Sequence, residues 1–567
     1  MDRQDKQDGG MSWQISAMNR VKNSFDAFCR VVAQVVGDNA DGLWLRRSLA
    51  VIYACTALYF AAFIVTHPHL VWGRYTDTGW HVSVADEYAR TGIFAKDPFI
   101  PNAPLYAQFG LLDYISAKLS IVSGFTTRVT YVWVLAGSVL VFMVTAFASG
   151  FKLRRNWTDA VAAGLVLVVT SGANGVIGLA MPFSVSVALF SYYVVLLAWG
   201  DCDKGDVDRV IPLNWLWTSA GYSETGYAGA LGRGVLLGLI FDIHAFVGLM
   251  AGLVTGALMF AGLMRAYSST KLVGLRREII KGGCLGIGFL IIAWPWLMLH
   301  LSLRSTLAKV NSHGVHGGVP LGAILLLTVA IVLLGIFVWL GNRTIRQKVF
   351  PFAVLSLFLL LLCVPALNGS LAKHTSSFMS ARVPYLLPCG LVAAIGIYGA
   401  SIMEERLKWV RVVWCAALLC ALAPLAVLGI KMALSQVYLT RTHDYDQHPW
   451  QYLDELAALN LRGKVVLSDP FTSYYVRAVL GCYAVTVPSG HASPAIDYKK
   501  CDAAAKLALQ KGPTMMADHA IGLLIVDREH TPSFSGVSED VILRTWQEQG
   551  WRVMTRTKRV ITLMPPL

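Results

Sequence analysis

Of 567 residues, 55% are hydrophobic and only 14% charged, a balance outside the range of water-soluble domains that points to a polytopic α-helical membrane protein. The formal net charge of +14 would suggest nucleic acid in a soluble chain. Here the basic residues fall in short segments between apolar runs, where membrane topology explains them, and no nucleic-acid partner is expected.

Along the chain, residues 1–47 are polar and lack the apolar core and small-residue cleavage site of a signal peptide, so a cytoplasmic N-terminal segment followed by a retained first span is expected. A crossing needs about 20 apolar residues. By that measure spans are predicted near 48–66, 129–149, 158–175, 183–200, 229–243, 245–264, 280–301, 320–340, 350–367, 384–402 and 410–434, eleven in all. The stretch 228–265 reads as a tight hairpin turning at "FDIHAF". Only then do "LRRS", "FKLRRNW", residues 265–281, "GNRTIRQK" and "EERLKWVR" all fall on the cytoplasmic side with the N-terminus, as the positive-inside rule requires.

The opposite face then collects the long loop 66–128, the turns "SGANG" and "FDIH", the loops "LRSTLAKVNSHGVHGG" and "LNGSLAKHTSSFMSARVP", and everything after about 435. Channels and carriers place ionisable groups near the bilayer midplane, whereas here they gather at the outer interface. The tail 435–567 changes character: "GKVVLSDP", "GCYAVTV" and "AIGLLIVDRE" read as strands, "FTSYYVRAVL" and "CDAAAKLALQKG" as helices, and "WRVMTRTKRVITLMPPL" as a strand pair. These predict a small C-terminal α/β domain on the periplasmic side. The ten cysteines form no C-x-x-C, so no zinc or iron–sulfur site is expected, and Cys482 and Cys501 read equally as a disulfide or as two buried thiols.

The first outer loop is the most patterned part of the chain. In "RYTDTGWHVSVADEYARTG", Trp80, Val84 and Tyr88 recur at i, i+4 and i+8, an apolar stripe expected to lie along the membrane surface on a helix ended by Gly92. On that helix Asp86 and Glu87 diverge from the Asp77 direction and are expected to face solvent or pair with Arg90. "PLYAQFGLLDYISAKLSIVSG" predicts a second interfacial helix before Gly124, and the prolines of "FAKDPFIPNAP" break the helix between them.

Two such helices in a long first outer loop, Asp77 in "YTDTGWH" just after the first span, "DPF" at 97–99, an inside N-terminus, an eleven-span count and an outer α/β tail resemble the GT-C fold of glycosyltransferases that use polyprenyl-phosphate sugars. "DTGWH" followed by "TGIFAKDPF" is most similar to bacterial lipid-linked arabinofuranosyl or related transferases. The lack of a W-W-D-Y-G-type motif argues against the oligosaccharyltransferases of the asparagine-linked pathway.

The resemblance implies transfer of a sugar from a polyprenyl-phosphate donor to a glycan, lipid or protein acceptor, at the periplasmic face of a bacterial inner membrane. It implies inversion at the anomeric carbon, with Asp77 as general base. The other reading of Asp77 is a helix N-cap accepting from the amides of Gly79 or Trp80, and the two roles can coexist. His81, four residues on, is a hydrogen-bond partner, sugar ligand or metal ligand, or else a surface histidine.

Asp242 and His244, at the outer hairpin turn, are candidates for donor or acceptor binding, against a solvated turn. Lys373, His374 and Arg382 are candidates to hold the lipid phosphate, against interfacial snorkelling to headgroups. His313 and His316, three apart on a Gly-rich loop, permit a metal or form a substrate gate. No cofactor is called for with certainty and a divalent metal stays open. No P-loop and no G-x-S-x-G appear, which disfavours a nucleotide-driven pump or a serine hydrolase. The competing functions are a transporter or flippase of lipid-linked sugars, which predicts deep ionisable residues and a repeat relating two halves, and a polymerase or ligase of lipid-linked glycans.

Overall fold

The computed structural model describes residues 43–68, 76–101, 110–154, 179–198, 226–307, 355–374, 461–486 and 496–566, with isolated positions between them. Most of the spans expected near 158–175, 320–340, 384–402 and 410–434, and the loop carrying His313 and His316, lie outside the described residues. Helices α1 (Leu43–Thr66), α2 (Thr76–Thr91), α3 (Leu111–Ser123) and α4 (Thr127–Arg154) come first. Among the described residues, Thr127–Ser149 and Leu272–Leu299 are long and apolar enough to cross a membrane, while Ala50–Thr66, Pro182–Leu197 and Ala245–Phe260 are shorter apolar helices. Helix α1 lies along α4, where the Tyr53 hydroxyl donates to the Met143 carbonyl at 2.7 Å.

Helices α5 (Pro182–Ala198), α6 (Tyr227–Ile243) and α7 (Ala245–Leu307) form a second packed group. Only His244 separates α6 from α7, with an extended φ of −154° and ψ of 99°. Helical structure then runs unbroken through 265–281, which the sequence reads as a connector. The residues there are mostly good helix formers with no proline, so the helix outlasts the apolar span. It nevertheless doubles back, because a Cβ on Gly282 would stand 2.6 Å from Met259 Cε, whereas a straight helix would hold those two residues about 35 Å apart. The returning limb runs parallel to α6: Gly234 abuts the backbone of Leu285 and Phe289, Gly238 abuts Ile292, and Phe241 meets Trp296 at 4.6 Å. Small residues at these crossings let the backbones touch, the usual means of helix association in lipid.

The tail forms a five-stranded mixed sheet, built from β1 (Val465–Leu467), α9 (Pro470–Leu480), β2 (Tyr483–Ala484), α10 (Tyr498–Lys511), β3 (Ile521–Asp527), α11 (His530–Ser535), α12 (Glu539–Glu548), β4 (Arg552–Arg556) and β5 (Val560–Met564), with α8 (Pro365–His374) preceding it in the chain. Strand order is β2-β1-β3-β5-β4. The first three are parallel, as their helical crossovers require, and β5 pairs antiparallel with β3 and with β4. Alternation along β3 splits the core: Leu523 and Ile525 join a cluster with Val466, Tyr475 and Val560, while Leu524 and Val526 face Leu509, Ile542 and Trp546 on the other side.

The first of those clusters continues without a break into Trp80, Val84, Tyr88, Phe99 and Tyr131. The sheet therefore shares one core with the first loop. This overturns the expectation that the Trp80, Val84 and Tyr88 stripe of α2 lies on a membrane surface. All three are buried, and α2 is enclosed by α3, α4 and α9. Helix α3 fits the interfacial expectation better, since Ile115, Leu119 and Val122 leave an apolar stripe exposed. Cys482 and Cys501 are both free thiols.

Candidate functional site

Helix α2 is fixed by what it touches. At Gly79 a Cβ would stand 2.7 Å from the Tyr474 carbonyl oxygen of α9, so glycine is what allows the two helices this close. At the far end Gly92, with φ of 77°, closes the helix by donating its amide to Tyr88 O at 2.9 Å, the left-handed cap expected of glycine there. Asp77 is the second residue of α2, one turn before His81. Its side chain lies outside the described residues.

His81 is held by a residue that the sequence did not single out. Its Nδ1 lies 2.9 Å and 3.1 Å from the two carboxylate oxygens of Asp113, in the first turn of α3. An ionised carboxylate only accepts, so against it Nδ1 is the protonated nitrogen and Nε2 the acceptor. Two aromatic rings fix its plane: Tyr131 stacks on it at 5.6 Å and Trp80 meets it edge-on at 4.5 Å. Asp113 is buried, which makes the imidazole its proper counterpart.

Asp242 closes the group. It sits in the last turn of α6, is 2% exposed, and its Oδ1 has no hydrogen-bond partner among the described residues. Tyr88 links the three elements. Its hydroxyl accepts from the Gly110 amide at 3.3 Å, and both Asp113 and Asp242 act on it electrostatically. Burial raises the phenol well above its ordinary pKa, with the two carboxylates adding to the shift against the opposing Gly110 bond, so it stays a neutral hydroxyl. His244, at the turn, sets its ring edge-on against Phe183 at 5.2 Å.

The structure thus pairs His81 with Asp113 and packs α3 against α6, whose last turn carries Asp242, while Asp77 stands one turn before His81 along α2. Lys373 and His374 belong to the end of α8, but their side chains, and all of Arg382, lie outside the described residues. Asp113 and Tyr88 were missed as site residues. A lone acid in the otherwise apolar first turn of "GLLDYISAKL" was the available signal for the first. "DPF" is architectural: Asp97 Oδ1 accepts from the amides of Phe99 and Ile100 at 2.9 Å and 3.4 Å, and the Phe99 carbonyl accepts from Ala484 N at 2.6 Å. Glu87 is another departure, because it pairs with Arg90 as expected yet is buried against the tail and not solvated.

No protein-family profile and no curated protein matches the chain. Among solved structures, the oligosaccharyltransferase of Archaeoglobus fulgidus, tethered with an acceptor peptide, superimposes with a TM-score of 0.50 at 11% identity, over 88% of this chain and 72% of that one. ArnT from Cupriavidus metallidurans in the apo state gives a TM-score of 0.49 at 12% identity, over 90% and 97% of the two chains. With the loop helices, their doubled-back partners and the sheet-bearing tail in place, the likeness to the first of these shows that this chain has a GT-C-like fold.

Proposed function

We propose that the protein is a membrane glycosyltransferase that moves a sugar from a polyprenyl-phosphate donor to a glycan, lipid or protein acceptor. The site works at the periplasmic face of a bacterial inner membrane, with the N-terminus cytoplasmic and the tail outside. The observation that carries this reading is the His81–Asp113 pair on α2 and α3, packed against α6 with its buried Asp242, whose Oδ1 has no hydrogen-bond partner among the described residues, within a GT-C-like fold. A buried carboxylate oxygen without a partner is costly unless a ligand supplies the donor, and sugar hydroxyls are such donors.

In the reaction, Asp77 takes the proton of the acceptor hydroxyl as that oxygen bonds to the anomeric carbon. The bond from that carbon to the phosphate oxygen breaks on the opposite side, which inverts the configuration. The departing phosphate is held by Lys373, His374 and Arg382, whose charges oppose the one that develops. His81, Asp242 and His244 orient donor and acceptor, and His81 presents Nε2 because Asp113 holds its other nitrogen. "DTGWH" followed by "TGIFAKDPF" resembles the arabinofuranosyl-type transferases, which makes a pentose the first donor to try.

The test is turnover by the purified protein in liposomes, with a panel of pentosyl and hexosyl polyprenyl phosphates. Release of polyprenyl phosphate together with a glycosylated acceptor is the expected result. Movement of intact lipid-linked sugar between leaflets without release of the phosphate would instead identify a flippase.

A further inference from the structure

A buried charge cluster joins the tail to α2 and takes no part in the chemistry above. Arg477 of α9 is 1% exposed. Its Nη2 lies 2.8 Å from Glu87 Oε2 and 3.2 Å from Asp86 Oδ2, and its Nη1 donates to the Gly481 carbonyl at 3.1 Å. The guanidinium also lies over the Tyr483 ring at 4.8 Å. Arg90 adds to the cluster, 3.3 Å from Glu87 and donating to the Tyr483 hydroxyl at 3.2 Å, and the more exposed Arg462 lies 3.6 Å from Asp86 Oδ1.

Stability alone is a poor reason for this arrangement. Two carboxylates and a fully buried guanidinium lose much hydration, and apolar side chains of similar volume commonly do as well or better. What apolar packing does not supply is registry, because a planar fork whose Nη2 sits between two carboxylates while its Nη1 is tied to the Gly481 carbonyl fixes distance and angle together. The fork meets α2 at Asp86 and Glu87, while Gly79 meets the Tyr474 carbonyl nearer the start of the helix. Two attachments separated along one helix set both its height and its rotation. Asp77 and His81 flank Gly79, so their placement follows from those two attachments.

We infer that Arg477 is a positioning residue for the site on α2, acting through Asp86 and Glu87 to set where Asp77 and His81 stand relative to α3 and α6. The inference rests on the glycosyl-transfer reading for its kinetic consequence, but the structural one can be measured without it. Misplacing a reacting group by about 1 Å lowers a rate by about 100-fold, so the effect falls on kcat and leaves donor affinity largely intact.

The test uses the full chain in lipid nanodiscs and compares wild type with Arg477→Lys, which keeps the charge but not the fork. Glu87→Gln and the double variant Arg477→Lys/Glu87→Gln complete a cycle. With a polyprenyl-phosphate sugar that wild type turns over, Arg477→Lys is expected to lower kcat about 100-fold while KM changes little. The double variant should be no worse than Arg477→Lys alone, because both changes break one contact. Hydrogen exchange should quicken in residues 76–91 and stay unchanged in 521–527. Wild-type kcat together with wild-type exchange in α2 would overturn the inference. Equal loosening of α2 and β3 would reduce Arg477 to a general stabiliser and overturn it as well. Should wild type turn over no such donor, the glycosyl-transfer reading fails, and the exchange comparison alone decides whether Arg477 holds α2.

Discussion

Asp113 governs His81 at the scale of single residues. The carboxylate fixes the tautomer and plane of a ring that, in the proposed reaction, meets substrate through its other nitrogen. Asp113→Asn retains the shape but offers an amide that can present either an acceptor or a donor to Nδ1. The expected loss in kcat/KM is about 10-fold or more, by analogy with other carboxylates that orient a working histidine, and turnover with a lipid-linked donor measures it. A second residue tests the tail. Burial raises the Asp502 carboxyl from 3.8 to about 6, with Lys506 opposing the shift. Between those values the folded state holds a proton that the unfolded chain has released, so the tail loses stability as pH rises through that window and gains none back above it. Asp502→Asn should flatten the pH dependence of thermal unfolding there and raise the midpoint at neutral pH. An unchanged pH profile would mean that Asp502 is better solvated than its surroundings indicate.

At the scale of elements, the position of α2 depends on a glycine. Gly79→Ala brings a methyl to 2.7 Å from a backbone carbonyl, which α9 cannot avoid by a side-chain rotation, and the expected cost is about 1–3 kcal/mol. Gly137, inside α4 with open space where a methyl would stand, is the control, since Ala there should stabilise by about 0.5–1 kcal/mol through helix propensity. Thermal unfolding of the two variants in detergent gives the comparison. Much of this level was legible in the sequence: the ends of α2 at Gly92 and of α3 before Gly124, the turn at His244 and the strand pair at the end all follow from local periodicity and cap chemistry. The enclosure of α2 was not legible. Part of its covering surface, α9, comes from residues almost four hundred positions away, and a helix that is apolar on one face looks the same whether a membrane or a protein covers that face. The burial of Glu87 follows from the same missing partner, Arg477.

At the scale of the whole molecule, one continuous core runs from α1 and α4 through the first loop into one face of the tail sheet. Forces on the tail therefore reach the loop helix directly, without a flexible link. The site sits where that core meets the α6 turn, so its residues come from three separate elements. That is why sequence spacing singled out His81 and Asp242 separately and could not relate them through Asp113 and Tyr88. The most direct test of glycosyl transfer by this site compares wild type with Asp77→Asn in the lipid-linked sugar assay, after confirming that both are folded. Loss of kcat by about 100-fold or more with donor binding retained is the result predicted for a general base. Undiminished turnover by folded Asp77→Asn would contradict it.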